Sequence, residues 1–268
     1  SNPAGTVLQA PTLEASDTLL NWKLGVLYKA GEAASLYANY ALSQQPPGGS
    51  NFALSSSASS LDNPRLDPQE ARTFEVGSKW ALLDDALALN VAIFQTDVEN
   101  EINTQVLDDA GNPTQTGSKR VRGVEVSAVG RITDNWSLSA GYSHLDSEVK
   151  EGANVAADGT RNLTYTPDDA FTAWSSYVLP FGLTVGGGVR YSSAMHRGTD
   201  GAVGTPAFTR SYTVYDAVLS YPVSKALVLR LNAYNVFDKQ YVAAINKSGY
   251  RYTPGTPRTF LLSADYRF

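Results

Sequence analysis

The chain has 268 residues, 43 % of them hydrophobic, and a formal charge of −5. No run of about 18 apolar residues occurs, which excludes a transmembrane helix. The absence of cysteine excludes disulfide scaffolds and thiolate metal sites, two histidines are too few for a histidine-rich metal centre, and the lack of a long basic run argues against nucleic acid as a partner.

The N-terminal segment, SNPAGTVLQAPTLEA, has neither a basic start nor an apolar core and is not a signal peptide. A protein bound for the outer membrane needs one, so the N-terminal part of such a protein is expected to lie outside this sequence. Period-two alternation gives eleven strand candidates and no amphipathic helix: 19–28, 34–43, 71–82, 86–99, 118–132, 136–149, 170–179, 183–192, 212–221, 226–237 and 258–268. In the last of these, RTFLLSADYRF, Phe260, Leu262, Ala264, Tyr266 and Phe268 share one face, and Thr259, Ser263, Asp265 and Arg267 the other. A soluble sandwich strand shows the same alternation, because one of its faces packs on a core.

The connections separate the two readings. Brief turns at 29–33, 83–85, 133–135, 180–182 and 222–225 alternate strictly with long polar loops at 44–70, 100–117, 150–169, 193–211 and 238–257. Outer-membrane barrels have this order, with short periplasmic turns and long extracellular loops. Tyr28, Trp80, Trp136, Tyr177, Tyr221, Tyr266 and Phe268 lie near the short-turn ends, and Tyr142, Tyr191 and Tyr212 near the long-loop ends. They read as two aromatic girdles around an apolar band. Lys23, Glu75, Lys79, Glu125, Arg190, Asp216, Arg230, Asp265 and Arg267 alternate with that band and would be costly in a dry core. The expected fold is an all-β, antiparallel up-and-down transmembrane β-barrel sheet of about eleven strands, with a periplasmic C-terminus and five outward loops. Gly186, Gly187 and Gly188 suggest a bend or a close approach within it.

Several segments resemble the C-terminal half of a TonB-dependent siderophore receptor. They are 66–80 (LDPQEARTFEVGSKW), 121–149 (VRGVEVSAVGRITDNWSLSAGYSHLDSEV), 235–242 (NVFDKQYV) and the terminal RTFLLSADYRF; 165–189, with TPDDAF and LPFGLTVGGGV, is similar to another stretch. Residues 243–258 (AAINKSGYRYTPGTPR) look most like the catecholate-type receptors. The resemblance implies the second half of a twenty-two-stranded barrel spanning residues 1–268, with the plug and the first half of the barrel outside this sequence. It implies a ferric siderophore as cargo, no resident cofactor or metal, and energy delivered by TonB through the missing N-terminal region. It implies a bacterial outer-membrane location, contact with outer-membrane lipid, and recognition of the strand ending at Phe268 by the barrel-assembly machinery.

Ferric catecholates are bulky, aromatic and anionic, so cationic and aromatic side chains on the outward loops are the candidate contacts. These are Tyr250, Arg251, Tyr252 and Lys247 in the last loop, with Lys239 and Tyr241; His196, Arg197 and Arg210 in the one before; and Arg161 and Tyr165 in the one before that. Spacing favours Tyr250, Arg251 and Tyr252, since alternate residues of an extended loop share a side. The lumen-facing Glu75, Lys79, Glu125, Arg190, Arg230 and Arg267 are candidates for contact with a plug. Asp108 and Asp109 lack the ligand spacing of a calcium loop and read as a turn, as do Asn235 and Asp238. No GxSxG, HExxH or phosphate-binding loop occurs, and Asp84 and Asp85 sit in a short turn, so an enzyme is not expected. A passive pore and a soluble carbohydrate-binding sandwich are the competing readings.

Overall fold

The computed structural model describes residues 12–49, 53–199, 202, 204–246 and 250–268. In chain order the strands are β1 (Trp22–Lys29), β2 (Ala34–Gln45), β3 (Gln69–Leu82), β4 (Leu87–Leu107), β5 (Pro113–Thr133), β6 (Trp136–Glu151), β7 (Asp169–Val178), β8 (Thr184–Ser192), β9 (Tyr212–Pro222), β10 (Leu227–Tyr234), β11 (Val242–Ile245), β12 (Tyr252–Pro254) and β13 (Thr259–Tyr266). Eleven form one sheet in the order β1-β2-β3-β4-β5-β6-β7-β8-β9-β10-β13, every neighbour antiparallel, and β11 and β12 pair separately. The sheet is open: β1 and β13 are its two ends. The up-and-down path follows from the brief turns. The β3–β4 turn places Leu83, Asp84 and Asp85 at φ of 55°, 53° and 65°, a left-handed run that aspartate tolerates better than most residues.

The faces are inverted relative to a soluble sandwich. Only Ala34, Val149, Ala156, Met195 and Val214 are buried hydrophobics among the described residues, while Leu24, Val26, Ile93, Phe260 and Leu262 are 60 % exposed or more. The register carries this apolar face across the sheet, from Val26 opposite Ala38 to Val76, Ile93, Val124 and so on. Tyr28, Trp80, Trp136, Tyr177, Tyr221 and Tyr266 fall on it by strand parity, forming the short-turn girdle. Tyr212 does not: it lies on the opposite face and stacks on Tyr241 with ring centroids 4.3 Å apart.

One row of paired residues runs Leu24, Tyr40, Phe74, Gln95, Arg122, Asp146. Its chemistry turns from apolar to ionic because barrel strands tilt, so neighbours in register stand at different heights in the membrane. Above the apolar band the outward face is tied by ion pairs: Arg72 to Glu70 and to Glu99 at 2.9 Å, Arg120 to Asp97 at 2.6 Å, and Arg122 to Asp146 at 2.8 Å. Exposed pairs of this kind contribute little stability, but they mark where the apolar environment ends.

Two expected loops are partly strand. Residues 100–117, read as a polar loop, continue β4 and β5 far beyond the apolar band. They close only at residues 108–112, where the Asp108 carboxylate accepts the backbone N–H groups of Ala110 at 2.9 Å and Asn112 at 2.8 Å. The Asn112 N–H in particular holds that carboxyl below the ordinary aspartate range. A strand standing in water on both faces has no hydrophobic period, so the sequence gives no sign of it. The last loop likewise contains the β11–β12 hairpin.

Within the glycine run, Gly188 has a steric reason. A Cβ on Gly188 would lie 2.4 Å from the Trp174 ring, its neighbour across the β7–β8 pair, so the bare backbone makes room for the indole. At Gly130, with φ of 150°, a Cβ would lie 2.1 Å from the Ala86 carbonyl oxygen, which accepts the Arg131 N–H at 2.7 Å. Gly130→Ala is expected to destabilise the barrel by about 1–3 kcal/mol, since the obstacle is backbone, and to lower the detergent-phase melting temperature. Gly188→Ala is expected to displace Trp174 and shift its fluorescence; an unshifted spectrum would refute the packing described.

Candidate ligand-binding loops

Loops 152–168 and 193–211 fold onto each other above the sheet. Isolated bridges join Ala156 to Gly198, Pro167 to Met195, and His196 to Phe208, and Ala156, Met195 and Thr209 are buried between them. Two arginines bind main-chain carbonyls here, Arg197 within its own loop and Arg161 at the end of β6. Arg197, 9 % exposed, donates Nε to Pro206 O at 2.9 Å, Nη1 to Gly198 O at 2.9 Å and Nη2 to Thr205 O at 3.3 Å. Arg161 donates Nε to Val149 O at 2.5 Å and Nη2 to Lys150 O. The Tyr165 hydroxyl accepts the Gly198 N–H at 3.0 Å.

His196 Nδ1 lies 2.7 Å from Asp158 Oδ2, and its Nε2 lies 3.3 Å from the Asn162 amide nitrogen. With the Asn162 amide donating, Nδ1–H donates to the carboxylate. Burial pushes the Asp158 carboxyl up, but hydrogen bonds from Thr160 and His196 outweigh it and leave the group below the usual aspartate range. The structure thus brings Arg161, Tyr165, His196 and Arg197 together, each bonded within the loop layer.

The last loop is set by Asn235, 1 % exposed with φ of 49°. Its side-chain amide donates to Lys239 O at 2.8 Å and Thr256 O at 3.0 Å, and its carbonyl oxygen accepts the Lys239 N–H at 2.8 Å. The two ends of the loop are thereby joined. Asp238, φ 53°, adds an acceptor for the Arg258 N–H at 3.1 Å. The turn reading of Asn235 and Asp238 matches this geometry. Beyond it, Tyr250 is 70 % and Tyr252 60 % exposed. Arg251 is exposed, and its backbone carbonyl accepts the Asn246 N–H at 3.0 Å. Tyr252 faces Phe208 and Arg210 across a cleft that Tyr250 does not line. Lys247 lies outside the described residues.

On the lumen face, Lys23, Glu75 and Lys79 share a trough with Tyr37, and Lys79 Nζ stands 5.5 Å from the Tyr37 ring centroid. Glu125 and Arg190 line the adjoining trough. Arg190 Nη2 pairs with Asp216 Oδ2 at 3.3 Å, and Asp216 Oδ1 accepts the Asn235 N–H at 2.8 Å. Arg230 faces the lumen between Ser220 and Ser263; Arg267 follows β13 and donates its backbone N–H to Ala226 O at 2.9 Å. Asp216 is a joint that sequence reading noted only as one lumen charge. Its signal was a lone carboxylate in the otherwise apolar and hydroxylic β9.

Asn235→Ala removes three part-buried hydrogen bonds to the main chain of Lys239 and Thr256, at about 0.5–1.5 kcal/mol each. Residues 239–257 are then expected to exchange amide hydrogens much faster while the barrel ladder stays protected. The Asp158–His196 tie has a definite pH sign. A carboxyl with a depressed folded pKa stabilises above its unfolded pKa, and that contribution disappears as pH falls through the folded value. Protease resistance of loops 152–168 and 193–211 should therefore persist at mildly acidic pH and drop well below pH ~4. Asp158→Asn should abolish that acid transition.

The family model described as TonB dependent receptor-like, beta-barrel matches residues 2–236. The chain is 50 % identical over 272 residues to the catecholate siderophore receptor Fiu of Escherichia coli strain UTI89, covering 99 % of this chain and 35 % of that protein. It is 33 % identical over 269 residues to the probable TonB-dependent siderophore receptor PiuA of Acinetobacter baumannii, covering 97 % and 35 %. Among solved structures, the closed form of the ferric-catecholate import receptor Fiu from E. coli K12 matches with a TM-score of 0.91 at 49 % identity, over 99 % of this chain and 38 % of that one. The chain spans about a third of the length of the curated relatives it matches. With its open, outward-apolar sheet of eleven strands, the chain belongs to the TonB-dependent receptor β-barrel family of the bacterial outer membrane.

Proposed function

We propose that this chain is part of the barrel of an outer-membrane receptor for ferric siderophores of the catecholate type, energised through TonB. The observation that carries this reading is the division of labour among the loop cations. Arg161 binds carbonyls at the end of β6 and Arg197 those of its own loop, whereas the Arg251 side chain has no hydrogen-bond or ion-pair partner among the described residues and stands between two exposed tyrosines. A partnerless guanidinium beside exposed rings suits a bulky aromatic anion. The resemblance of the chain to catecholate receptors supports the same ligand class.

In this reading Tyr250, Arg251 and Tyr252 contact the cargo, with Lys247 as a further cation of the same loop. His196, Arg197, Arg161 and Tyr165 shape the loop layer beside them. Glu75, Lys79, Glu125, Arg190, Arg230 and Arg267 meet an inserted plug supplied by the remainder of the receptor. TonB acts through that remainder, outer-leaflet lipid covers the apolar face, and the assembly machinery reads β13 through the exposed Phe268. Iron enters as substrate within the chelate.

Replacing Arg251 and Tyr252 by alanine in the complete receptor is expected to weaken ferric-catecholate binding roughly tenfold, consistent with loss of one charge-assisted and one ring contact. Tryptophan quenching by the chelate measures it, and unchanged affinity sinks the assignment of these two residues. Chelate-independent conductance without TonB-dependent uptake would make the parent a passive pore instead.

A further inference from the structure

Between residues 206–210 and the β11–β12 hairpin lies a cleft of about 600 Å³, within the range of sites that take small organic ligands. Its walls are apolar, from Pro206, Ala207, Phe208, Val242 and Ile245, and Tyr252 closes one side. Phe208 and Tyr252 are 54 % and 60 % exposed, so two rings stand in solvent at one opening. Solvent-exposed aromatic surface of that extent favours an apolar or aromatic occupant.

The charges select further. Among the described residues no carboxylate lines the cleft, while two arginines do. Arg197 is fixed by its three carbonyl bonds. Arg210 is exposed and enters no hydrogen bond or ion pair among the described residues. Apolar walls, two rings and two cations, with no acid among the described lining residues, describe a receptor for a planar aryl group bearing negative charge.

We propose that this cleft takes one aryl arm of the chelate, its ring against Phe208 and Tyr252 and its anionic edge toward Arg210, and so discriminates aryl from alkyl iron ligands. This rests on the siderophore reading above and adds a recognition site distinct from Tyr250 and Arg251. Both rings and Arg210 are surface groups, so their replacement leaves the loop scaffold of Arg197 and Asn235 intact.

The test compares Phe208→Leu, Arg210→Gln and the control Arg65→Gln in the complete receptor, titrated with a ferric tris-catecholate and with free 2,3-dihydroxybenzoate. Arg65 is an exposed cation of loop 46–68 outside the cleft. The expected result is a roughly tenfold loss of ferric-catecholate affinity for Phe208→Leu and for Arg210→Gln, with Arg65→Gln unchanged. Tight ferric-catecholate binding that neither cleft variant alters overturns the cleft and leaves the receptor reading standing, and an equal loss in Arg65→Gln also overturns it by reducing the effect to general charge. Binding of dihydroxybenzoate that Arg210→Gln abolishes, in a receptor indifferent to every ferric chelate, keeps the cleft and removes the siderophore reading. Binding of neither probe overturns both.

Discussion

In hydrocarbon a backbone N–H or C=O without a partner costs several kcal/mol, so a chain that crosses with strands must complete its hydrogen bonds through its neighbours. The rest of the architecture depends on that constraint. It requires each strand from β2 to β10 to be paired on both sides, which brief turns achieve by laying successive strands antiparallel. The ladder then fixes side-chain parity across the whole sheet: once Leu24 faces lipid, so do Tyr40, Phe74, Ile93, Val124 and Leu138, while Lys23, Glu75, Lys79 and Glu125 face the lumen. The two ends, β1 and β13, present unpaired edges that the remainder of a closed barrel would complete.

Above the membrane the constraint relaxes, and side chains take over the pairing of backbone groups. Arg197, Asn235 and Asp238 bond main-chain atoms of loops, and Arg161 those at the adjoining end of β6. Polar residues in such loops thus divide into those that hold the loop and those left available to a ligand, a distinction made by partners rather than by residue type. Arg197 and Arg210 are chemically identical, yet one is buried among carbonyls and the other is exposed at the cleft with no hydrogen bond or ion pair among the described residues.

Lumen and loops are also physically joined. Arg190 holds one oxygen of Asp216, the other oxygen holds the Asn235 backbone, and the Asn235 side chain closes the last loop. A charge facing the interior is therefore joined, through Asp216, to the turn that closes the last loop.

The sequence by itself determined the class of fold, the number of sheet strands, the alternation of short turns with long loops, and the two faces of each strand. All of these follow from a period of two and from turn residues, which are local properties. The turn roles of Asp108, Asn235 and Asp238 were legible for the same reason. The tall β4–β5 hairpin and the β11–β12 pair were not, because strands wetted on both faces carry no hydrophobic period. Nor could the sequence separate the cations that brace the loops from those that face solvent, or bring Phe208 opposite Tyr252. Those outcomes depend on residues tens of positions apart competing for the same carbonyls and the same space, and only the folded arrangement of the loops decides which partner each one finds.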